Sequence, residues 1–222
     1  MSNQTAAENA MRYARAKTGA YKTANKFFNE KDAPASFKRR YEASLYRGSI
    51  EREAPKLGAT VDDIVRYAQR AMEVQAGNCG ELAAIAYAYL LESAEASSFD
   101  YVIFASPGDH AFISIGQPLP VNGVYPISFG DWHDGAYICD PWANLACPAQ
   151  EYPQYWQAKM RKWAMAGKRL GKPGDDVGKS TIVEATDAYW YDAPTMCNKI
   201  SFMYKTGGKA AKTSRCNGCV IL

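Results

Sequence analysis

Gly77-Asn78-Cys79-Gly80-Glu81 stands immediately before the longest apolar run of the chain, Leu82 to Leu91. Glycine and asparagine are common where a helix ends and where the next begins, so this stretch predicts that one helix stops at Gly77-Asn78 and another begins at Cys79. The residues after Cys79 are apolar on nearly every side of a helix, which is typical of a buried helix. We therefore expect a buried helix whose first residue is a cysteine.

The segments on either side of this helix predict an α+β fold. Before it, Thr60 stands where it can cap a helix, and Asp63 lies at the third position of that helix, near its positive end. After it, short runs rich in β-branched and aromatic residues predict antiparallel strands. These strands are residues 100–105, 110–115 and 135–139, with shorter ones at 181–184 and 199–204. A helix is expected over about 152–166, and the glycine- and lysine-rich stretch 167–179 is expected to be a mobile loop.

Composition limits the classes of protein that this chain can belong to. It has 222 residues, of which 47% are hydrophobic and 22% charged, as expected of a globular protein. The net charge of +3 is too small to indicate nucleic-acid binding, and no zinc-knuckle spacing or glycine-rich phosphate loop occurs. The six cysteines are irregularly spaced, which favours reduced thiols in a cytosolic setting. We expect no transmembrane helix, no signal peptide and no cofactor.

Cys79, His110 and Asp140 form an ordered set that suits nucleophilic catalysis. A thiol at a helix N-terminus faces the positive end of the helix dipole, which favours the thiolate. His110 opens a predicted strand and Asp140 closes the next, so the imidazole can point at the sulfur while the carboxylate fixes its tautomer. The chain has only two histidines, and the other, His133, lies in a loop where we expect it to be exposed. The alternative is a structural cysteine, a turn histidine and a capping aspartate without chemistry.

Three motifs resemble those of the papain-like and transglutaminase-like superfamily, most closely the compact members among bacterial effectors and toxins. They are Gly77-Asn78-Cys79-Gly80-Glu81, Gly108-Asp109-His110-Ala111-Phe112 and Ile138-Cys139-Asp140-Pro141-Trp142. The resemblance covers about residues 60–145. It implies a papain-like core, a Cys79-His110-Asp140 triad, and an activity on protein amide bonds as a thiol protease, glutamine deamidase or transglutaminase. The spacing from histidine to aspartate is longer than in many transglutaminases, so Asn144 stays an alternative to Asp140.

Four more residues are candidates for the oxyanion or substrate site. Asn78 and Gly80 flank the cysteine and are small enough to let a substrate backbone approach. Gln75 precedes the cysteine by four residues and could donate to an oxyanion, or it could be a polar residue of the last helical turn. Trp142 could cover the triad or pack in the core.

The last residues, Cys219-Val220-Ile221-Leu222, fit the prenylation pattern of a cysteine, two aliphatic residues and a terminal leucine, which favours geranylgeranyl. Lysine and arginine residues precede them in a flexible stretch, and Cys216 is a second candidate for lipidation. One lipid with nearby basic charge is a combination that gives stable membrane attachment. The alternative is a packed C-terminal strand of apolar residues.

We therefore expect a helical N-terminal extension over 1–58, with helices added to the catalytic core, a catalytic domain over 59–204, and a basic tail over 205–222. The expected partners are a protein substrate, which would be a host protein, and a membrane surface reached through the prenylated tail. No nucleic acid is expected as a partner. The protein is expected to be cytoplasmic as synthesised, and secreted into the host cell if it is a bacterial effector. The competing hypotheses are a non-catalytic membrane-tethered adaptor and, more weakly, a metal site of Cys79, Cys139 and His110.

Overall fold

The fold is a mixed α+β arrangement with two antiparallel sheets, seen in a computed structural model that describes residues 1–19, 23, 25–27, 42, 45, 49, 54–55, 59–105, 109–118, 124–173 and 180–205. The helices among these residues are α1 (Asn3–Lys17), α2 (Val61–Val74), α3 (Cys79–Ser93), α4 (Tyr152–Met165), α5 (Ala188–Tyr191) and α6 (Ala193–Met196). The strands are β1 (Lys26–Phe27), β2 (Phe99–Ala105), β3 (Asp109–Ile115), β4 (Tyr137–Asp140), β5 (Leu145–Pro148), β6 (Arg169–Pro173), β7 (Ser180–Glu184) and β8 (Lys199–Lys205). Short 3-10 helices cover Phe129–Asp131 and Ala149–Glu151.

The predicted junction between α2 and α3 is confirmed. The Thr60 hydroxyl accepts from the Asp63 N–H at 3.2 Å, and the Asp63 carboxylate accepts from the Thr60 N–H at 2.9 Å, so the expected cap forms. Helix α2 then stops at Gln75, which has a left-handed φ of 54°. Helix α3 begins at Cys79, as its sequence predicts, and is buried along most of its length because it is apolar on nearly every side.

Helix α3 packs against the larger sheet, which holds the strands that carry His110 and Asp140. The strand order is β5-β4-β3-β2-β8, and every neighbouring pair is antiparallel. Strands β3 and β4 pair with Ile113 opposite Cys139, so the start of β3 and the end of β4 lie at the same end of the sheet. Helices α1 and α2 also pack against α3.

Helix α1 belongs to this core. Ala6, Ala7, Ala10 and Ala14 are fully buried, and the helix packs against α3 and the strands β4 and β5. Alanine along one face lets helices approach closely because its side chain is small. Most of residues 20–58 lie outside the described part of the chain, so the boundary at residue 58 stays a prediction.

The second sheet corrects the loop that the sequence predicts at 167–179. Arg169–Pro173 forms strand β6, which lies between β1 and β7 in the order β1-β6-β7. Lys26 pairs with Leu170 across this sheet, a partner far away along the chain. Local composition misses β6 because its glycine, lysine and proline weaken strand propensity, whereas two neighbouring strands supply its hydrogen bonds.

Two predictions fall partly or wholly outside the described residues. The tail from residue 206 onward, with Cys216 and Cys219, is one of them, and residues 174–179 of the expected loop are the other. Among the helices that the structure describes, none is both long and apolar enough to cross a bilayer.

Candidate active site

Cys79 is the first residue of α3, and a tight turn holds it there. The Asn78 N–H donates to the Glu81 carboxylate at 2.9 Å, which fixes the entrance to the helix. A side chain at Gly77 would bring its Cβ within 2.5 Å of the Glu81 Cβ, so this position requires glycine. The N–H groups of a first helical turn have no acceptor one turn earlier in the helix. The sulfur of Cys79 therefore lies at the positive end of the helix dipole.

Cys79 is also accessible in a way that the other described cysteines are not. It is partly exposed, whereas Cys139, Cys147 and Cys197 are buried. Burial raises the pKa of each of those three thiols, and for Cys147 the pKa reaches about 12. A buried neutral thiol reacts slowly, so Cys79 is the described cysteine suited to nucleophilic attack.

His110 lies at the start of β3 inside an aromatic cage. Its ring centroid is 4.8 Å from that of Trp156, 5.2 Å from that of Trp142 and 5.4 Å from that of Phe104. Its side chain is fully buried. Nε2 is 2.9 Å from the Asp140 Oδ2, and this contact defines the orientation of the ring.

Electrostatics connect His110 to Cys79 as well as to Asp140. Burial opposes the imidazolium, but the Asp140 carboxylate and its hydrogen bond, followed by the interaction with the Cys79 side chain, raise the pKa of His110 to about 10. Because Nε2 is engaged by Asp140, Nδ1 is the ring nitrogen left for the sulfur. Within the described residues Nδ1 makes no hydrogen bond of standard geometry. Such contacts are commonly loose without substrate.

Asp140 is fully buried and accepts three hydrogen bonds. Oδ2 accepts from Tyr152 Oη at 2.9 Å in addition to its contact with His110, and Oδ1 accepts from the Ala143 N–H at 2.9 Å. Burial favours the protonated acid, yet the attraction of His110 and these donors outweigh it and lower the pKa of Asp140. Asn144, the alternative, lies in the following turn with a φ of 58° and is exposed. The residue that contacts His110 is therefore Asp140.

Trp142 packs against His110 rather than lining the surface. It is fully buried, and residues from the second sheet hold it in place. Trp142 Nε1 donates to Asn25 Oδ1 at 3.0 Å, while Lys26 Nζ donates to the Trp142 carbonyl and lies 4.2 Å from its ring centroid. Burial, followed by repulsion from Lys168, holds the pKa of Lys26 well below its usual value, although Asp140 opposes this shift.

The other candidates occupy distinct places. Asn78 and Gly80 flank the sulfur, and Tyr101 Oη donates to the Gly80 carbonyl at 3.0 Å. The exposed Gln75 points its side chain at Gly19, in the turn that ends α1, since a Cβ there would lie 2.7 Å from Gln75 Oε1. His133 is exposed in its loop, as expected.

Sequence reasoning missed Tyr152, Trp156 and Lys26. Tyr152 and Trp156 are spaced by four residues on α4, a spacing that indicates a shared buried face but not what that face contacts. Lys26 carries no signal in its local sequence, because a lysine is ordinarily exposed.

In the described part of the chain, no group of three histidine, cysteine or acidic side chains is arranged to hold a metal ion. The chain matches no protein-family model, and no curated protein or solved structure is significantly similar to it.

Proposed function

We propose that this protein is a cysteine-dependent enzyme that acts on amide bonds of proteins through an acyl-thioester, on a papain-like core. One observation carries the proposal. A partly exposed cysteine at a helix N-terminus interacts with a fully buried histidine whose other nitrogen is bound by a buried carboxylate. A structural cysteine needs neither partner. The three groups supply the nucleophile, the base and the orienting group of a thiol hydrolase.

The reaction begins with attack of the Cys79 sulfur on the amide carbonyl carbon. His110 takes the thiol proton, and the Asp140 carboxylate stabilises the imidazolium that forms. The carbonyl oxygen becomes an oxyanion, which backbone N–H groups at the start of α3 can stabilise by hydrogen bonds. Collapse of this intermediate breaks the carbon–nitrogen bond, and His110 returns the proton to the departing nitrogen. An acyl-thioester on Cys79 remains.

The acceptor of the acyl group decides the outcome. With water, attack on a backbone amide gives proteolysis, and attack on a glutamine side chain releases ammonia and leaves glutamate. With an amine, the product is a cross-link. All three share the thioester and the same three residues, so we propose the shared step and treat the outcome as a question for experiment.

A location at membranes of a host cell belongs to the same proposal. The pattern at Cys219 is that of a prenylated protein, and enzymes that attach such lipids occur in eukaryotic cells. A protein substrate near a membrane would then meet the enzyme at high local concentration.

Selective alkylation of Cys79 tests the nucleophile directly. In a protein with Cys216 and Cys219 replaced by serine, iodoacetamide near neutral pH should modify Cys79 well before the buried Cys139, Cys147 and Cys197, as measured by peptide mass spectrometry. His110→Ala should slow this modification, because it removes the base and the imidazolium. Labelling that favours a buried thiol, or that is unaffected by His110→Ala, would favour the non-catalytic adaptor.

Mass spectrometry of host-cell proteins identifies the reaction. Exposure to wild type, but not to Cys79→Ala, should yield new termini for proteolysis, a mass gain of about one dalton on glutamine for deamidation, or isopeptides for cross-linking. Cys147→Ala is the matched control, since it also removes a thiol but one that is buried on β5. Equal activity of Cys79→Ala and wild type would contradict the proposal.

A further inference from the structure

Helix α4 has one face in the active site and an opposite face that is cationic and apolar. Tyr152 and Trp156 point inward to Asp140 and His110. On the outer side, Tyr155 is 45% exposed, Lys162 is exposed, and Met165 is 90% exposed. Their spacings of seven and three residues place them along a single helix face. From Tyr152 to Met165 the helix contains no aspartate or glutamate.

Two more cations lie beside this face. Lys159 is partly buried and shares the inward side of α4 with Tyr152 and Trp156, so its amine reaches the surface at the edge of the helix. Arg15, on α1, donates from Nη1 to the Pro141 carbonyl at 3.0 Å, and Lys159 Nζ donates to the Asn144 carbonyl at 3.2 Å. Both therefore contact the same turn after β4. Burial, followed by repulsion from Lys162 and Arg15, lowers the pKa of Lys159.

These cations have no acidic partner on the described surface. None of Arg15, Lys159 and Lys162 takes part in an ion pair among the residues that the structure describes. The carboxylate that interacts with Arg15 and Lys159 electrostatically is Asp140, which is buried and bound to His110. Within the described part of the chain, their charge is therefore not neutralised by a surface carboxylate and can attract an anionic ligand.

We propose that the α4 face, formed by Arg15, Tyr155, Lys159, Lys162 and Met165, binds the anionic surface of a lipid bilayer. Lysine and arginine attract acidic headgroups, while an exposed tyrosine and methionine on the same face can enter the headgroup boundary. The exposed apolar side chains favour a bilayer over a nucleic acid or a soluble acidic peptide, because both of those would leave Met165 in water. The proposal does not depend on the chemistry of Cys79.

This face would add a second contact to the lipid anchor expected at Cys219. A single lipid chain gives reversible membrane binding, and stable attachment needs another signal. Each cation close to an acidic membrane contributes roughly a fivefold increase in binding, so neutralising three of them should weaken binding by roughly a hundredfold.

Sedimentation with vesicles tests the face without the lipid anchor. Unprenylated full-length protein is mixed with vesicles of phosphatidylcholine that contain about one third phosphatidylserine. We expect the wild-type protein to bind these vesicles and its affinity to fall with added salt. The affinity of Arg15→Gln/Lys159→Gln/Lys162→Gln should be about a hundredfold lower than that of wild type. Met165→Ser should weaken binding further without changing the charge.

A matched control separates this face from net charge. Arg66→Gln/Arg70→Gln/Arg169→Gln also removes three positive charges, but these come from surface ion pairs on α2 and β6. The vesicle affinity of this variant should lie within a few fold of that of wild type. Equal weakening of the two triple variants would overturn the proposal.

Two other results would also overturn it. One is binding to soluble polyglutamate that exceeds binding to the vesicles, which would indicate an acidic peptide as ligand. The other is unchanged vesicle binding in the first triple variant. Circular dichroism of each variant must show the wild-type melting transition. Because alkylation of Cys79 is measured separately, failure of either proposal leaves the other intact.

Discussion

Replacement of Asp140 by asparagine is the sharpest test of how the candidate active site works. The side chain keeps its shape but loses its charge and one acceptor oxygen. Three donors now converge on it, from His110, Tyr152 and Ala143. An amide offers one oxygen and two N–H donors, so at least one buried donor is left without an acceptor. The histidine also loses the carboxylate that stabilises its charged form.

The magnitude follows from the His110 pair. The difference between about 10 and the usual 6.5 in the pKa of His110 corresponds to about 5 kcal/mol in favour of the charged form, shared between Asp140 and Cys79. Breaking a buried pair by removing one partner generally costs about 3–5 kcal/mol. We therefore expect Asp140→Asn to lose about 3–5 kcal/mol of unfolding free energy near pH 6.

The loss should depend on pH in a defined direction. The pKa of His110 is higher in the folded protein than in the unfolded chain, so its stabilising contribution is complete below pH 6.5 and disappears as the pH rises through 10. The pKa of Asp140 is lowered, so its contribution is present above its unfolded value of about 4 and is lost only in acid. Between pH 6 and pH 9 the advantage of wild type over Asp140→Asn should therefore shrink by roughly 3 kcal/mol.

Urea unfolding of both proteins at pH 6 and pH 9 measures this difference. Asp100→Asn is the matched control, because Asp100 is also buried and accepts a hydrogen bond from Tyr125 Oη. Burial, followed by the charge of Asp100 and its hydrogen bond, raises the pKa of Tyr125. This pair contains no histidine, so its loss should not change between pH 6 and pH 9. A loss for Asp140→Asn that is equally independent of pH would refute the charged His110-Asp140 pair. The alkylation rate of Cys79 near neutral pH should also fall in Asp140→Asn and not in Asp100→Asn, because the thiolate loses the stabilised imidazolium.

Three further substitutions test neighbouring features. Tyr152→Phe removes one hydrogen-bond donor from Asp140, so the unfolding free energy should fall by about 1.5–3 kcal/mol and the pH profile of Cys79 alkylation should shift. If the unfolding free energy falls while the pH profile stays unchanged, the role of Tyr152 is structural only. Lys26→Met removes a buried amine while keeping its volume, so the unfolding free energy should stay within about 1 kcal/mol of wild type, and a loss above about 2 kcal/mol would show that the bond to Trp142 dominates. Cys219→Ser should move most of the protein from the membrane fraction to the soluble fraction of eukaryotic cells and leave only the salt-sensitive binding of the α4 face, whereas equal fractionation of the two proteins would argue against prenylation.

The parts of the fold that sequence predicts well are those whose signal is local. The capping pair of Thr60 and Asp63 and the Gly77-Asn78 break define the helices on either side of the junction to within a few residues. Strands β2 and β3 have seven residues each, and their apolar residues either alternate with polar ones or follow one another, so the local sequence predicts both strands. From these elements, antiparallel pairing is enough to bring His110 near the end of β4, where Asp140 lies.

The parts that sequence misses depend on partners far away along the chain. Strand β1 has two residues, and it exists because Leu170 and Arg169 supply its hydrogen bonds. Asn25 contacts Trp142 across 117 positions of sequence, and no local periodicity encodes that distance. Tyr152 is similar, since its hydroxyl is indistinguishable from that of an ordinary core tyrosine until Asp140 is seen beside it.

The contrast in exposure between the three central residues constrains how any reaction must proceed. His110 and Asp140 have fully buried side chains, whereas Cys79 is partly open to solvent. In the proposed reaction, a substrate would therefore reach the described part of this site at Cys79, from the side of the α3 N-terminus. The departing nitrogen and the incoming acceptor would use that same opening, because aromatic rings pack against His110. The proposal then implies that the choice between hydrolysis and transfer depends on what fills the opening after the first product leaves, and not on the three central residues. A surface that excludes water there while admitting a lysine side chain would favour cross-linking, and an open one would favour hydrolysis.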